Sequence, residues 1–209
     1  MSTVTEIRNF RGVVRVLFDD APAMKVRQKH FRALPLAVGD DVDCEAYAGR
    51  LAAAQLADAY EAALNSLDLC ARTRRELGRS LAARGYVAPA VEAVLDRLTD
   101  NGLIDDRRYA ERAVETHANR AVGVYAVRRK LRAKGISDED AEAALGALDD
   151  EQQAEAAQKA ARSLLRKYEG LPAREGRAKL SQALARRGFS WDAVREAVDA
   201  VWDADGWED

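Results

Sequence analysis

The segment YAVRRKLRAKGI, residues 125–136, holds the pattern that decides the fold of this 209-residue chain. Val127 and Leu131 are four residues apart, so they lie on one face of a helix. Gly135 follows after four more residues and suits a helix C-terminus, because glycine adopts a positive φ at little cost. Lys134, directly before it, favours the negative end of the helix dipole. The segment is therefore predicted to be a short helix that ends at the glycine.

The same pattern occurs three times, around Gly85, Gly135 and Gly188, whose spacings are 50 and 53 residues. In each copy an apolar residue stands eight and four residues before the glycine, a cation directly before it and an apolar residue directly after it. Three further apolar positions follow at 6, 10 and 13 residues beyond the glycine. Recurrence at a nearly fixed period is the signature of a helical repeat array.

Each copy predicts two helices that flank the glycine, and a further helical stretch precedes each pair. These preceding helices are predicted at 51–69, 106–119 and 150–168. The chain is therefore predicted to be mainly α, with three tandem three-helix repeats. The predicted repeats are 51–101, 102–149 and 150–209, the last with an acidic C-terminal tail, WDADGWED.

The first fifty residues differ from the rest and predict a small β-hairpin module. GVVRVLF (12–18) is rich in β-branched residues, and AMKVR (23–27) suits a returning strand after a turn-like stretch. A short helix is predicted over 28–34. Helical periodicity is predicted to begin at about residue 51, with an apolar stripe that consists of Leu51, Leu56, Tyr60, Leu64 and Leu67.

Charge is distributed unevenly along the chain, although the formal net charge is only -2. Residues 70–135 carry 15 cations and 8 anions, whereas residues 136–209 carry 10 cations and 17 anions. A basic middle and an acidic end are compatible with a polyanion partner for one part of the molecule only.

The cations cluster on the equivalent helix of each repeat, and arginine, which suits bidentate contacts with phosphate or carboxylate, predominates. We therefore predict a surface for phosphates or for acidic protein. An alternative remains open, in which this face is solvated and its charges are neutralised by acids such as Asp138, Glu139 and Asp140. The candidate binding residues of this surface are Arg72, Arg74, Arg75, Arg79, Arg107, Arg108, Arg112, Arg128, Arg129, Lys130, Arg132, Lys134, Arg177, Lys179, Arg186 and Arg187.

Any DNA contact is expected to be weak, electrostatic and independent of sequence. No helix face that is free of core packing carries the Asn, Gln and Arg side chains that recognise base edges. Four aromatic residues within the repeats could stack on bases, but their positions in the pattern favour core packing. These residues are Tyr86, Tyr109, Tyr125 and Phe189.

Catalysis finds little support in the sequence, so the chain is predicted not to be an enzyme and to need no cofactor or metal. The chain has no P-loop motif, and its two histidines, His30 and His117, are isolated. It has no run of 18 apolar residues and no apolar segment near its first residue, so we expect a cytoplasmic location without a membrane contact.

The segment NGLIDDRRYA, residues 101–110, resembles the G-[LY]-[LI]-[ND]-D-x-x-[YF]-A signature of the RecX regulatory proteins. The Lys134-Gly135-Ile136 segment resembles that family's L-x-x-K-G-[IV] element. The resemblance extends from about residue 51 to 202 and is loosest in the third repeat. The hairpin at 12–27 also looks like the N-terminal strand module of longer members.

This resemblance implies an elongated, curved array of repeats and a cytoplasmic modulator of the RecA recombinase. RecX-like proteins lie in the groove of the RecA–DNA filament, oppose its extension and depress its ATPase and strand exchange. They thereby act in homologous recombination, DNA repair and the SOS response. The resemblance also implies a non-enzyme without a cofactor, and we expect a monomer.

Two rival functions remain open at this stage. The chain could be an autonomous DNA-binding protein with tandem helix-turn-helix-like units that acts as a repressor. It could also be a helical scaffold that binds acidic proteins.

Overall fold

The computed structural model describes residues 1–118, 120–168 and 170–204, and the chain divides into two compact units, the second beginning at Asp106. The first unit contains β1 (Ser2–Phe10), β2 (Val13–Phe18), β3 (Met24–Arg27), α1 (Gln28–Ala33), β4 (Asp41–Val42), α2 (Cys44–Leu69), α3 (Arg74–Ala83) and α4 (Ala88–Asp100). The second unit contains α5 (Asp106–Ala118), α6 (Val124–Lys134), α7 (Asp138–Leu145), α8 (Asp150–Leu165), α9 (Ala173–Arg186) and α10 (Trp191–Ala204).

The predicted fold class is confirmed: three three-helix repeats follow a small β module. The repeats consist of α2–α4, α5–α7 and α8–α10. Each has its own buried apolar cluster, which contains the positions that the repeat pattern assigns to the core. A repeat of this size buries its apolar faces by packing the three helices on one another.

The three repeat glycines end the second helix of each repeat in the same way. Their φ angles are +86°, +87° and +85°, in the left-handed region. In the first repeat, the Tyr86 N–H donates to the Leu81 C=O at 3.3 Å and the Gly85 N–H donates to the Ala82 C=O at 3.1 Å. The other two repeats make the same two bonds. This is the Schellman arrangement, and the apolar residue after each glycine is buried.

The third helices of the second and third repeats have serine N-caps. The Ser137 hydroxyl accepts from the Asp140 N–H at 3.0 Å, and the Ser190 hydroxyl accepts from the Ala193 N–H at 3.2 Å. In the first repeat a proline in the first turn of α4 takes the place of a capping side chain.

The N-terminal module is a four-stranded sheet with the order β3-β2-β1-β4, so the predicted hairpin is only part of it. β2 and β3 pair as predicted, whereas β1 and β4 were not predicted. β1 escapes a simple alternation pattern because its pairing with β2 shifts register between Val4 and Glu6. Such a bulge moves the following side chains to the other face of the strand.

Helix α2 begins at Cys44, seven residues before the predicted start, with Asp43 as its N-cap. The Asp43 carboxylate accepts from the Glu45 and Ala46 N–H groups at 3.1 Å each. A capping aspartate of this kind was not recognised in the sequence, because the residues around it also suit a turn.

Of the predicted apolar stripe of α2, Leu51 is buried, and the half-buried Tyr60, Leu64 and Leu67 pack against the core of the first repeat. Leu56 is the exception, because it is 39% exposed. The buried residues are Tyr47, Leu51, Gln55, Ala59, Ala63 and Ser66. Small residues face the core here because α2 packs closely on the rest of its repeat. The buried Gln55 side chain makes two hydrogen bonds to the backbone of the Gly85 turn. Its amide donates to the Gly85 C=O at 3.1 Å and accepts from the Val87 N–H at 2.8 Å.

Trp202 is buried in the core of the third repeat and closes it. Of the acidic tail, residues 205–209 lie outside the described part of the chain, and with them Trp207. Within the described residues no helix is long and apolar enough to cross a membrane.

Candidate nucleic-acid interface

In the first and third repeats, a predicted binding residue on the second helix pairs with an acid on the third helix. Arg74 on α3 lies 2.7 Å from Asp96 and 2.8 Å from Glu92 on α4. Arg177 on α9 pairs with Asp199 on α10 in the same way. Both arginines stand 11 residues before the repeat glycine and both aspartates 11 residues after it. The pair is thus a feature of the repeat that joins its second helix to its third.

The middle repeat makes an equivalent pair one turn closer to the glycine. Arg128 on α6 lies 2.7 Å from Glu142 on α7, seven residues before and after Gly135 respectively. Arg132 also lies 2.7 Å from Asp138. For these cations the structure agrees with the alternative in which neighbouring acids neutralise the positive charge.

Three other predicted residues have local contacts. Lys179 pairs with Glu175 and Arg107 with Glu111, in each case within one helix. Arg72 donates to the Ser66 C=O at 3.4 Å. Arg75, Arg79 and Arg112 are exposed and make no ion pair within the described ranges, Arg108 is exposed and Lys134 is half-buried.

The remaining predicted residues, Arg129, Lys130, Arg186 and Arg187, meet in one groove of the second unit, which has a volume of about 570 Å³. Two further cations line it with them. The lining combines the turn before α6 with α6, α8 and α9, and none of the residues that line it within the described chain is acidic. The cations of this basic groove are Arg120, Arg129, Lys130, Lys159, Arg186 and Arg187.

Contact between two glycine segments creates this groove. The Gly123 N–H donates to the Arg187 C=O and the Tyr125 N–H to the Gly188 C=O, both at 3.0 Å. The Gly188 turn therefore satisfies an N–H in the first turn of α6, which has no partner within its own helix. A Cβ at Gly123 would lie 2.2 Å from the Gly188 backbone, and one at Gly188 would lie 2.3 Å from the Ala126 nitrogen. Only glycine permits this approach, which brings α6 beside Arg186 and Arg187.

His117 contacts the groove from α5. Its Nε2 lies 2.9 Å from the Lys130 Nζ, so the imidazole is neutral and accepts from the ammonium group. Its Nδ1 is buried and has no hydrogen-bond partner in the described residues. Burial, Lys130 and Arg120 together lower the pKa of His117. The imidazole therefore supports Lys130 without adding charge to the groove.

Comparison with known proteins identifies the family. Three family models match in order: the first three-helix domain of RecX at residues 59–98, the second at 105–145 and the third at 150–198. The regulatory protein RecX of Limosilactobacillus reuteri strain DSM 20016 is 32% identical over 197 residues, which are 94% of this chain and 75% of the relative. The chain belongs to the RecX family.

Other RecX proteins agree with this assignment. RecX of Mycolicibacterium smegmatis is 38% identical over 140 residues, which cover 65% of this chain and 74% of the relative. A crystal structure of a regulatory protein RecX is 30% identical, with a TM-score of 0.67, and covers 95% of this chain and all of that one. The structure of RecX from Lactobacillus salivarius is 31% identical, with a TM-score of 0.66, over 73% of this chain and 99% of that one.

The basic groove draws equally on the second and third RecX domains. Three of its cations lie in the range matched by the second domain and three in the range matched by the third. Sequence reasoning missed Arg120 and Lys159. Arg120 lies in an irregular turn, where no periodicity applies, and Lys159 lies on α8, outside the basic helix that recurs in each repeat. Their proximity to the other four depends on the Gly123–Gly188 contact, which is not encoded by any local pattern.

Sequence reasoning was right about three of the four aromatic residues: Tyr86 and Phe189 are buried, and the half-buried Tyr109 packs against the core of the second repeat. Tyr125 is the exception, with 53% of its surface exposed.

A second groove in the same unit, about 740 Å³ in volume, has the opposite charge. Its acidic residues are Glu111, Glu115 and Glu155, around a floor of small apolar side chains from α5, α7 and α8. Lys159 contributes to both grooves. A polyanion is therefore attracted to the basic groove and repelled from the acidic one.

Proposed function

We propose that this RecX-family chain binds the DNA of a RecA filament through the basic groove and opposes extension of the filament. Bound there, it lowers the ATPase and strand-exchange activity of RecA. The observation that carries the proposal is the meeting of six cations in one concave surface of the second unit, with no acid among the described residues that line it.

The groove fits this role better than the full set of predicted cations does. Arginines that are already paired, such as Arg74, Arg128 and Arg177, would have to break an ion pair before they could bind phosphate. Exposed groove cations such as Arg129 and Arg186 have no internal ion pair within the described chain and remain available. Four of the six groove cations are arginines, whose planar guanidinium groups bind phosphate oxygens in bidentate fashion.

The role requires no catalytic chemistry of the chain itself. We propose that it acts as a monomer without a cofactor, in the cytoplasm together with the filament. The contact with DNA is electrostatic and independent of base sequence, because phosphate contacts fix position but do not read bases.

The test is a RecA ATPase assay on single-stranded DNA with the chain added at substoichiometric amounts. We expect inhibition well below one chain per RecA protomer, because a modulator that blocks extension acts on many subunits at once. Tight, salt-resistant binding to one duplex site without inhibition would indicate a repressor instead. If the chain neither inhibits RecA nor binds DNA, the result would favour a protein-binding scaffold.

A further inference from the structure

Two large aromatic side chains are exposed beside the basic groove. Tyr125 on α6 is 53% exposed and Trp191, at the start of α10, is 67% exposed. Aromatic residues of this size usually bury most of their surface, so their exposure at one place requires an explanation.

Backbone contacts place both residues at the edge of the groove. The Tyr125 N–H donates to the Gly188 C=O at 3.0 Å, and Trp191 follows Gly188 by three residues. Three residues of chain span at most about 11 Å, so the two aromatic residues belong to one neighbourhood. Tyr125 also lies one turn before Arg129 on the same face of α6, and Arg129 lines the groove.

Neither aromatic residue is required by the repeat architecture. Trp191 stands three residues after its glycine, where the other repeats have Ala88 and Asp138. Tyr125 stands ten residues before its glycine, where the other repeats have Arg75 and Ala178. The two rings are thus additions to the repeat that is found elsewhere in the chain.

The Tyr125 ring is held in place while half of its surface stays open. The Arg128 guanidinium carbon lies 5.7 Å from the ring centroid, and Arg128 is itself fixed by Glu142 at 2.7 Å. The cation–π contact restrains the ring without covering it. A ring held in this way loses little conformational entropy when a second flat group stacks on it.

We propose that the groove binds single-stranded DNA, with Tyr125 and Trp191 stacking on unpaired bases while the groove cations hold the phosphates. This inference rests on the proposed function, in which DNA phosphates occupy the groove. A groove of cations flanked by aromatic rings is the usual architecture for single strands, and stacking is tolerant of sequence because every base has a flat face. In a duplex the bases are stacked on one another, so the two rings would have nothing to contact.

The test is fluorescence anisotropy with a labelled oligo(dT) and with a duplex of the same length, using the full chain and no RecA. The native chain is expected to bind the single strand more tightly. Tyr125→Ala and Trp191→Ala should each weaken single-strand binding about fivefold or more and leave duplex binding unchanged. Tyr125→Phe should retain the affinity. Oligo(dT) is expected to quench the Trp191 fluorescence of the native chain, and Trp191→Phe should bind the strand without this quenching.

Phe10→Ala is the matched control, because Phe10 is 70% exposed on β1 of the first unit, and it should bind like the native chain. Equal affinity for strand and duplex, or normal strand binding by both alanine variants, would overturn the stacking proposal. If Arg129→Gln/Arg186→Gln still weakens binding in that case, the phosphate groove stands. If the arginine variant also binds normally, the proposed function fails as well.

Discussion

Gly123 and Gly188 are both needed at the groove, but for different reasons. Gly188 has a φ of +85°, which other residues rarely adopt. Gly123 has an ordinary φ of -73°, so only the space for its Cβ is at issue. That space is absent, because a Cβ there would lie 2.2 Å from the Gly188 backbone.

Gly123→Ala is therefore expected to destabilise the second unit by about 2 kcal/mol, the usual cost of forcing a methyl group into a packed site. It should also weaken oligo(dT) binding, since the groove depends on this contact. Urea unfolding followed by circular dichroism measures the first effect. Gly170→Ala is the control, because nothing lies within 4 Å of a Cβ at that position. Equal stability of the two variants would contradict the account.

His117 makes the stability of the second unit depend on pH. Burial, with the charges of Lys130 and Arg120, lowers the pKa of His117 in the folded state below its ordinary value of about 6.5. The unfolded chain then takes up the proton at a higher pH than the folded chain does. The unfolding free energy is therefore highest above about pH 6.5 and falls as the pH decreases through the folded pKa.

The prediction is a loss of thermal stability between about pH 7 and pH 5 that His117→Gln reduces. The carboxylates with shifted pKa values, such as Asp58 and Asp138, have lowered values and titrate below this range. Melting temperatures of the native and variant chains, measured across this range, provide the comparison. Parallel curves for the two chains would show that His117 does not titrate differently on folding.

At the scale of the secondary-structure elements, an ion pair recurs between the second and third helices of a repeat. It distinguishes the cations that join helices from those that remain available to bind DNA. Arg74 and Asp96 join α3 to α4, with side chains 34% and 66% exposed. An exposed pair of this kind contributes little to stability because water screens it.

A double-mutant cycle with Arg74→Ala and Asp96→Ala is expected to give a coupling energy of about 0.5 kcal/mol in urea unfolding. The same substitutions should leave oligo(dT) affinity unchanged, because the first unit contributes nothing to the basic groove. A large loss of DNA binding without a coupling energy would mean that Arg74 binds the polyanion directly.

The elements that repeat were predictable from the sequence, and those that do not repeat were mostly not. Three copies of the glycine pattern determine six helices and their buried faces, because each position can be compared with the equivalent positions in the other two copies. Helix α2 carries a leucine stripe that points partly outward, and the buried face is set by close packing and by the bonds from Gln55 to the Gly85 turn. Hydrophobic periodicity cannot show such a tertiary preference for small or polar residues.

The binding surface was only partly predictable for a similar reason. The sequence indicates which helices are basic but not which of their cations find acids across the repeat. Arg128 and Arg129 are neighbours in sequence, yet Arg128 pairs with Glu142 while Arg129 lines the groove. That division depends on which way each side chain leaves the helix.

At the scale of the whole molecule, an almost neutral chain gathers positive charge in one place. The formal net charge is -2, while the basic groove holds six cations and the second groove of the same unit holds three glutamates. Attraction to DNA is therefore a property of one surface and not of the protein's overall charge.

Six phosphate contacts with a single strand predict a slope of roughly -4 for log affinity against log salt concentration. Arg129→Gln/Arg186→Gln removes two contacts and should flatten the slope to roughly -3. Arg162→Gln/Arg166→Gln is the matched control, because both arginines are exposed in the same unit but do not line the groove. Equal slopes for the two variants would mean that the groove cations do not neutralise phosphates.

Inhibition of the RecA ATPase by these same two variants tests the central claim most directly. Each variant is added at substoichiometric amounts to RecA on single-stranded DNA, after circular dichroism has confirmed equal helicity. The account predicts that Arg129→Gln/Arg186→Gln inhibits far less than the native chain, while Arg162→Gln/Arg166→Gln inhibits as the native chain does. Equal inhibition by both variants would contradict a role for the basic groove in the action of this chain on RecA.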